Sequence, residues 1–209
     1  MAADSQHLAE NTQFFRVYQW EKEGVTLGHQ QLCPADLELL SHAKRPTGGG
    51  VVFHCPGDLL FTVGAPLDHP LFPARLKDKM GQVAAWVSEA CVAAGFDVVP
   101  GLGIGENNPK FCATYPNPYE RYYKGEKVLA LTLRRYRSQF LIQSILHVHS
   151  QHEVFAACPH YAPFFTKGLG CRSEQTAAIQ AALIQRLEGM AEVEVDMETV
   201  PPTQVESNR

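Results

Sequence analysis

The chain has 209 residues, of which 45% are apolar, and its 18 basic and 22 acidic side chains give a formal net charge of −4. A chain of this size can bury one substantial core and is short for two domains, so we expect a single domain over residues 1–209. A duplex-binding surface needs a concentrated basic face, which a mildly acidic chain does not offer, so nucleic acid is not an expected partner.

The cysteine pattern and the chain start predict a reducing, soluble setting. Six cysteines are scattered without paired spacing, and the opening residues lack a basic segment followed by an apolar core. Apolar runs fall well short of the roughly 18 to 20 residues that span a bilayer. We therefore expect free thiols, no membrane association, and a cytoplasmic location, or an organelle matrix in a eukaryote.

Hydrophobic periodicity and turn residues predict the elements in chain order. They are a helix over the opening residues, a strand at 15–20, a short helix at 34–43, strands at 51–53, 59–63 and 96–100, a helix at 74–94, strands at 121–133 and 139–148, a helix at 173–189 with Ser173 as its N-cap, and an alternating segment at 193–197 before a loose tail after about 198. Cys91 lies on the apolar face of helix 74–94 and is predicted to be a core residue.

Three consecutive glycines, Gly48, Gly49 and Gly50, separate the basic pair Lys44 and Arg45 from an apolar strand. Backbone N–H groups in such a loop can hold a carbonyl or phosphoryl oxygen, and a flanking arginine adds positive charge. The alternative is a hairpin whose glycines only supply positive φ.

Two other patterns resemble ligand sites superficially. The run of alternating glycines at 101–105 is followed by Asn-Asn-Pro and not by a helix, so it does not predict a dinucleotide site. Four histidines, His147, His149, His152 and His160, lack a cysteine or carboxylate at a recognisable metal-ligand spacing, so no metal site is predicted.

Cys112 lies in a turn-rich segment in which prolines exclude regular structure. A cysteine in such a segment, with Lys110 and Lys127 near it in sequence, can act as a thiolate nucleophile, although most isolated cysteines are inert.

Five stretches together resemble the biotin and lipoate protein ligase catalytic superfamily. Residues 44–54 are similar to its R-R-x-[ST]-G-G-x-x-V-x-H motif, with Lys44 in place of the first arginine. Residues 112–120 match the C-x-x-x-P-x-x-Y-E motif of the cysteine-dependent octanoyltransferases and lipoyl amidotransferases, and 125–128 match G-x-K-[IV]. The opening residues resemble M-A-x-D-x-x-L, and residues 26–31 resemble [ST]-L-G-x-x-Q.

The resemblance implies an α/β domain with a mixed, largely antiparallel sheet flanked by helices. It implies an acyl pocket lined by residues of the first motif, which are Arg45, Thr47, Gly48, Gly49, Gly50 and His54. It also implies an acyl-thioester on Cys112 and an ammonium of Lys127 at the acyl carbonyl, where it would stabilise an oxyanion. The alternative for Lys127 is a solvent-facing position on a hairpin that turns at Gly125.

The implied activity is transfer of an octanoyl or lipoyl group to the lysine of a lipoyl domain or a glycine-cleavage H protein. The donor would be an acyl carrier protein or a lipoyl-bearing protein, no cofactor would be needed, and the enzyme would be a monomer. Two alternatives remain. One is a lipoate–protein ligase that uses ATP and magnesium, and the other is a silent homologue that only binds an acyl group or a lipoyl domain.

Some residues depart from the family pattern. Ala130 and Leu131 stand where glycine and serine are expected, and Ile142 and Gln143 stand where histidine and glycine are expected. Cys55 replaces an aspartate that is frequent in the ligases. Larger side chains beside the lysine would narrow the acyl site, so we expect a narrow apolar channel next to the glycine loop.

Overall fold

The computed structural model describes residues 2–101, 110–111, 117–188 and 193–195. The predictions for Cys112, for residues 102–105, for the helix end at Gly189 and for the tail lie outside the described residues. The elements are α1 (Ala2–Glu10), β1 (Phe14–Gln19), β2 (Gly24–Leu27), β3 (Ser41–Lys44), β4 (Val52–His54), β5 (Leu59–Pro66), α2 (Leu76–Ala93), β6 (Val99–Pro100), β7 (Arg121–Tyr123), β8 (Glu126–Tyr136), β9 (Gln139–Leu146), α3 (Gln151–Val154), α4 (Ser173–Leu187) and β10 (Val193–Val195).

Ten strands in the described ranges form two sheets. The large sheet has the order β10-β1-β5-β9-β8-β7-β6, and all its pairs are antiparallel except β1 with β10. The small sheet has the order β3-β2-β4, with β2 parallel to β3 and antiparallel to β4. The expected α/β fold with a mixed, largely antiparallel sheet is confirmed.

Helices α2 and α4 cover one face of the large sheet. Helix α2 buries Val83 and Val87 in the main core, and α4 buries Ile179 and Leu183 there. This spacing of three to four residues places each apolar set on one helix face. Cys91 is fully buried in the same core, where burial raises the pKa of its thiol to about 12, so the predicted core role is confirmed.

The small sheet lies against the opposite face of the large sheet. Side chains alternate along β5, so that Phe61 and Val63 enter the main core while Leu60 and Thr62 face the small sheet. The small sheet has a largely aromatic core of its own on its outer side, which includes Phe53. The space between the two sheets is lined by residues of β1, β2, β4, β5, β8 and β9, and it positions the candidate site.

Several predicted elements differ from the structure. The helix expected at 34–43 is a single 3₁₀ turn, Ala35–Leu37, and Ser41–Lys44 forms β3, because pairing with β2 overrides the local preference. The strand expected at 121–133 is two strands joined by a turn, in which Lys124 and Gly125 adopt positive φ.

Some elements begin or end at other residues than predicted, and two helices were not predicted at all. Arg172 and not Ser173 is the N-cap of α4, because the Gln175 side chain accepts a hydrogen bond from the Arg172 backbone N–H. The strand expected at 96–100 is only Val99–Pro100, and the sequence did not predict α3 or the 3₁₀ helix Pro159–Phe164. Within the described ranges, no helix combines the length and apolar character needed to cross a bilayer.

Candidate active site

Two small cavities lie between the sheets. The larger, with a volume of about 30 Å³, is bounded by mostly apolar surface and by the side chains of Arg45 and His54. The smaller, of about 10 Å³, is lined by Lys127, His147 and other residues. A cavity of roughly 10 to 15 Å³ holds one water molecule, so neither cavity takes an eight-carbon chain without movement of its walls. The sequence predicts a narrow apolar channel next to the glycine loop, whereas the structure shows two small, separate cavities.

Arg45 organises the glycine loop from inside. Its guanidinium donates to the backbone oxygen of Thr26 at 2.9 Å and to the Thr26 hydroxyl at 2.6 Å. It also donates to the carbonyl oxygens of Gly48 at 3.2 Å and Gly50 at 2.7 Å. The buried charge is therefore balanced by oxygen atoms of the loop, and its first role is to fix the loop against β2.

The three glycines differ in what the structure requires of them. Gly49 has a φ of +96°, which favours glycine, whereas Gly48 is exposed and a Cβ there would meet nothing within 4 Å. Gly50 is required for close approach, because a Cβ would lie 2.5 Å from the Lys110 carbonyl oxygen and 2.7 Å from the Phe111 nitrogen. The interpretation of all three as positive-φ hairpin residues is therefore wrong.

The close approach at Gly50 anchors the residues that precede Cys112. The backbone N–H of Val51 donates to the Lys110 oxygen at 2.7 Å, and Val51 forms an isolated parallel bridge with Phe111. The Gln31 side chain donates to the same Lys110 oxygen at 3.1 Å. Phe111 is buried and stacks on Phe164, with ring centroids 4.0 Å apart. The chain therefore enters the predicted nucleophile segment from a fixed point beside the glycine loop.

His54 is held as a neutral side chain. It is fully buried, stacks on Trp20 at a centroid distance of 4.2 Å, and its Nε2 lies 2.7 Å from the Thr26 hydroxyl oxygen. Burial lowers the pKa of His54 well below its usual range, and Arg45 adds to this effect. Arg45 donates to the same hydroxyl oxygen, so Thr26 connects the guanidinium and the His54 ring inside the protein.

Thr47 belongs to a buried polar chain that crosses the inter-sheet space. Its hydroxyl donates to the Gln143 Oε1 atom at 2.6 Å, and Gln143 Nε2 donates to Asp4 at 2.6 Å. Asp4 also pairs with Arg16 at 2.5 Å, and both of these side chains are fully buried. Gln143, which replaces a family glycine, therefore links the glycine loop to α1 and forms part of the cavity wall.

Lys127 lies in the interior and not in solvent. Its side chain is 4% exposed, and its Nζ atom lies 2.5 Å from Oε2 of Glu120. Burial raises the pKa of Glu120 to about 7, an effect that exceeds the opposite influence of the Lys127 ammonium. The hairpin turn at Gly125 is present, but the alternative of a solvent-facing lysine is wrong. An ammonium in a small, water-poor cavity can stabilise a developing oxyanion strongly.

Asp58 and His147 support the wall of the smaller cavity. Asp58 accepts hydrogen bonds from the backbone N–H groups of Cys55 at 3.0 Å and Val148 at 2.9 Å, and its Oδ2 lies 3.0 Å from His147 Nδ1. Gln151 donates to the Phe53 carbonyl oxygen at 2.7 Å. Burial raises the pKa of the Cys55 thiol, so it stays protonated. Asp58 therefore makes the structural contacts that tie β4 to the end of β9.

The histidines predicted not to form a metal site have separate partners. His147 contacts Asp58, whereas His160 contacts Asp36 at 2.7 Å near the surface. Across the part of the chain that the structure describes, no three His, Cys, Asp or Glu side chains are grouped as metal ligands.

The structure brings most of the predicted residues to one region. Arg45 and His54 line the larger cavity, Thr47 binds a residue of its wall, and Lys127 lines the smaller cavity. Gly48 and Gly49 face an outer groove, and Gly50 lies under Lys110. Sequence reasoning did not select Glu120 or Gln31 as site residues, although both stand in motifs that it recognised.

The four residues of β8 and β9 that differ from the family pattern lie on both faces of the large sheet. Ala130 and Gln143 face the cavity, whereas Ile142 is buried in the helix-side core, and Leu131 contributes to that core and to the cavity edge. Ala130 and Gln143 therefore change the width and polarity of the inter-sheet space.

Lipoate–protein ligases are among the solved structures with a similar fold. Lipoate-protein ligase A bound with ATP has a TM-score of 0.69 at 18% identity, with 96% of this chain and 83% of that chain covered. A bipartite lipoate protein ligase described with its E2 lipoyl domain, from Thermoplasma acidophilum, has a TM-score of 0.52 at 17% identity, with 91% and 75% covered. P. falciparum LipL1 in complex with lipoate has a TM-score of 0.51 at 12% identity, with 90% and 52% covered.

Sequence comparison gives the family directly. No curated protein sequence matches the chain. The family profile described as "Lipoyl protein ligase A/B catalytic domain" matches residues 3–200, which is nearly the full length. The chain therefore belongs to the lipoyl protein ligase A/B catalytic domain family.

Proposed function

We propose that the protein is an acyltransferase of protein lipoylation that carries an octanoyl or lipoyl group on Cys112. The observation that carries the proposal is the buried Lys127 ammonium, which lines a cavity together with Val51 and Phe164. Val51 bridges Phe111, the residue bonded to Cys112, and Phe164 stacks on it. The lysine and the start of the nucleophile segment thus share the same cavity walls.

The reaction requires two acyl transfers. The Cys112 thiolate attacks the carbonyl carbon of the donor thioester, a new carbon–sulfur bond forms, and the donor thiolate leaves; with an amide donor, the proton lost by the Cys112 thiol goes to the donor amine, which leaves instead. The acceptor lysine amine then attacks the Cys112 thioester and forms an amide, and its proton goes to the Cys112 thiolate that leaves. Each attack places negative charge on the carbonyl oxygen, and Lys127 would stabilise that charge.

The proposed partners follow from this chemistry and from the family. The donor would be an acyl carrier protein or a lipoyl-bearing protein, whose thioester or amide supplies the acyl group. The acceptor would be a lipoyl domain or a glycine-cleavage H protein. A relative of the same fold is described together with its E2 lipoyl domain, which supports an acceptor of this class. The transferase would act in a soluble compartment as a monomer.

ATP-dependent ligation is the second candidate, because a ligase of the same fold is described with bound ATP. In the described structure the arginines beside the glycine loop are bonded to its backbone. Arg45 donates to the carbonyl oxygens of Gly48 and Gly50, and Arg134 donates to that of Pro46 at 2.5 Å. Each guanidinium thus holds carbonyl oxygens of the loop, and a triphosphate would have to share or displace these contacts.

Intact-mass analysis after incubation with octanoyl carrier protein tests the proposal. A thioester adduct on the wild-type protein, absent in Cys112→Ala, supports covalent transfer. Cys33→Ala is a matched control, because burial and the nearby Glu38 and Asp36 raise the pKa of the Cys33 thiol and make it a weak nucleophile. Normal transfer by Cys112→Ala would exclude covalent catalysis at this residue.

The same assay separates the other two functions. Acceptor modification that depends on ATP and magnesium, with no adduct on the enzyme, identifies a ligase. A complex with carrier or lipoyl domain, without modification of either protein, identifies a silent binding homologue.

A further inference from the structure

A three-residue constriction separates the two inter-sheet cavities. Val52 and Ala130 line both cavities, so these two residues stand where the cavities meet. Ile145 packs with both of them in a small buried cluster, and the three residues are 4 to 7% exposed. Val52 comes from the small sheet, whereas Ala130 and Ile145 are paired across β8 and β9 of the large sheet.

The backbone around the constriction is held from both sides. Ala130 and Ile145 lie within long antiparallel ladders, with β9 paired to β5 as well as to β8. Val52 is paired with Thr26, which Arg45 ties to the glycine loop. Because backbone pairing holds the strands of both walls, the wall movement that an eight-carbon chain requires falls mainly on side chains, and these three set the width of the passage.

The constriction lies on the path that the proposed function requires. If the acyl carbonyl is at Lys127, the alkyl chain must pass between Val52 and Ala130 to enter the larger, more apolar cavity. A saturated straight chain needs a passage only one methylene wide, whereas a lipoyl group must pass its wider dithiolane ring through the same gap. Each buried methylene contributes about 0.8 kcal/mol, so a straight chain that passes gains affinity with length.

We propose that Val52, Ala130 and Ile145 select straight saturated acyl chains over ring-ended ones. The inference rests on the proposed function and names its substrate class, an octanoyl-type group in preference to a lipoyl group. Ala130 is the residue on which the selection depends most directly, because it is the β8 residue that lines both cavities.

Ala130→Gly and Ala130→Val test the proposal in opposite directions. Binding of octanoic and lipoic acids is measured by calorimetry, and acylation by octanoyl and lipoyl carrier proteins is measured by intact mass. Removing one carbon from an apolar pocket changes discrimination by roughly 10- to 200-fold, so Ala130→Gly should raise the lipoyl-to-octanoyl preference at least about tenfold. Ala130→Val narrows the gap further, so it should weaken the binding of octanoic acid as well as that of lipoic acid.

Ala65→Gly is the matched control, because Ala65 is a fully buried strand alanine in the helix-side core. Ala65→Gly removes the same Cβ atom from a strand, and it should leave the preference between octanoyl and lipoyl groups unchanged. Equal binding of both acids by the wild-type protein, or an unchanged preference in Ala130→Gly, overturns the selection while transfer itself stands. If no variant binds either acid or forms an adduct, the proposed function fails together with the selection.

Discussion

The Lys127 Nζ atom lies 2.5 Å from the Glu120 Oε2 atom, and both side chains are buried. Glu120 precedes β7 and Lys127 follows the hairpin turn, so the β7–β8 hairpin brings the two charges together. Burial nevertheless raises the pKa of Glu120 to about 7. The charge around the proposed catalytic ammonium therefore changes near neutral pH, while the position of the lysine is set by the sheet.

Lys127→Met should reduce acyl transfer by about 100- to 1000-fold, the usual cost of removing one oxyanion-stabilising group. Methionine keeps most of the side-chain volume but removes the charge and the donors. A nearby cation also favours a thiolate, so labelling of Cys112 by iodoacetamide should shift to higher pH.

Lys124→Met is the control for this change, because Lys124 is an exposed lysine on the same hairpin. It should leave both turnover and the labelling profile unchanged. Unaltered turnover and labelling in Lys127→Met would remove Lys127 from the mechanism and favour the silent homologue.

Glu120→Gln should flatten the pH dependence of stability. The pKa of Glu120 rises from 4.5 to about 7 on folding because burial disfavours its charged form. A raised carboxyl pKa contributes stability that is fully present below about pH 4.5 and is lost as the pH rises through about 7. Urea unfolding between these pH values should therefore show a steeper decline for the wild-type protein than for Glu120→Gln.

Glu126→Gln, a change at a partly exposed carboxylate of the same hairpin, should keep the wild-type slope. If the free energy of unfolding falls with pH equally steeply in the wild-type protein and in Glu120→Gln, the titration does not belong to Glu120.

Gly50→Ala should destabilise the protein by about 1 to 3 kcal/mol, the usual cost of forcing an extra carbon into a packed site. The new Cβ would lie 2.5 Å from the Lys110 oxygen, and a backbone atom cannot rotate away. Gly48→Ala is the matched comparison, because a Cβ there meets nothing within 4 Å. Urea unfolding measures both, and equal losses would mean that the Val51–Phe111 bridge does not depend on the missing Cβ.

Asp4→Asn should cost about 3 to 5 kcal/mol, because it leaves the Arg16 charge buried beside an uncharged partner. Both side chains of this pair are fully buried, and asparagine has only one acceptor oxygen, so it cannot accept from both Arg16 and Gln143 as Asp4 does. Chemical denaturation measures the loss. Asp97→Asn, at an exposed carboxylate, should stay within about 0.5 kcal/mol of the wild-type protein, and a similarly small effect of Asp4→Asn would contradict the argument.

Local patterns in the chain were enough to predict the elements that depend on nearby residues. The helical spacing of apolar residues predicted α2 and α4 and the core position of Cys91, because one helix face recurs every three to four residues. The motif residues of the glycine loop and Lys127 were also recognised, since their spacing along the chain is itself the signal.

Tertiary structure decided how those residues are used. Arg45 binds the carbonyls of its own loop and β2, β3 forms only because β2 lies beside it, and Lys127 faces Glu120 in the interior. The constriction joins Val52 to Ala130 and Ile145, which are distant in the chain and meet only where the two sheets pack. Sequence by itself determined the candidate residues of the glycine loop and Lys127, because their spacing is a local signal, whereas pairing and packing between distant strands determined their partners, their burial and the width of the space between them.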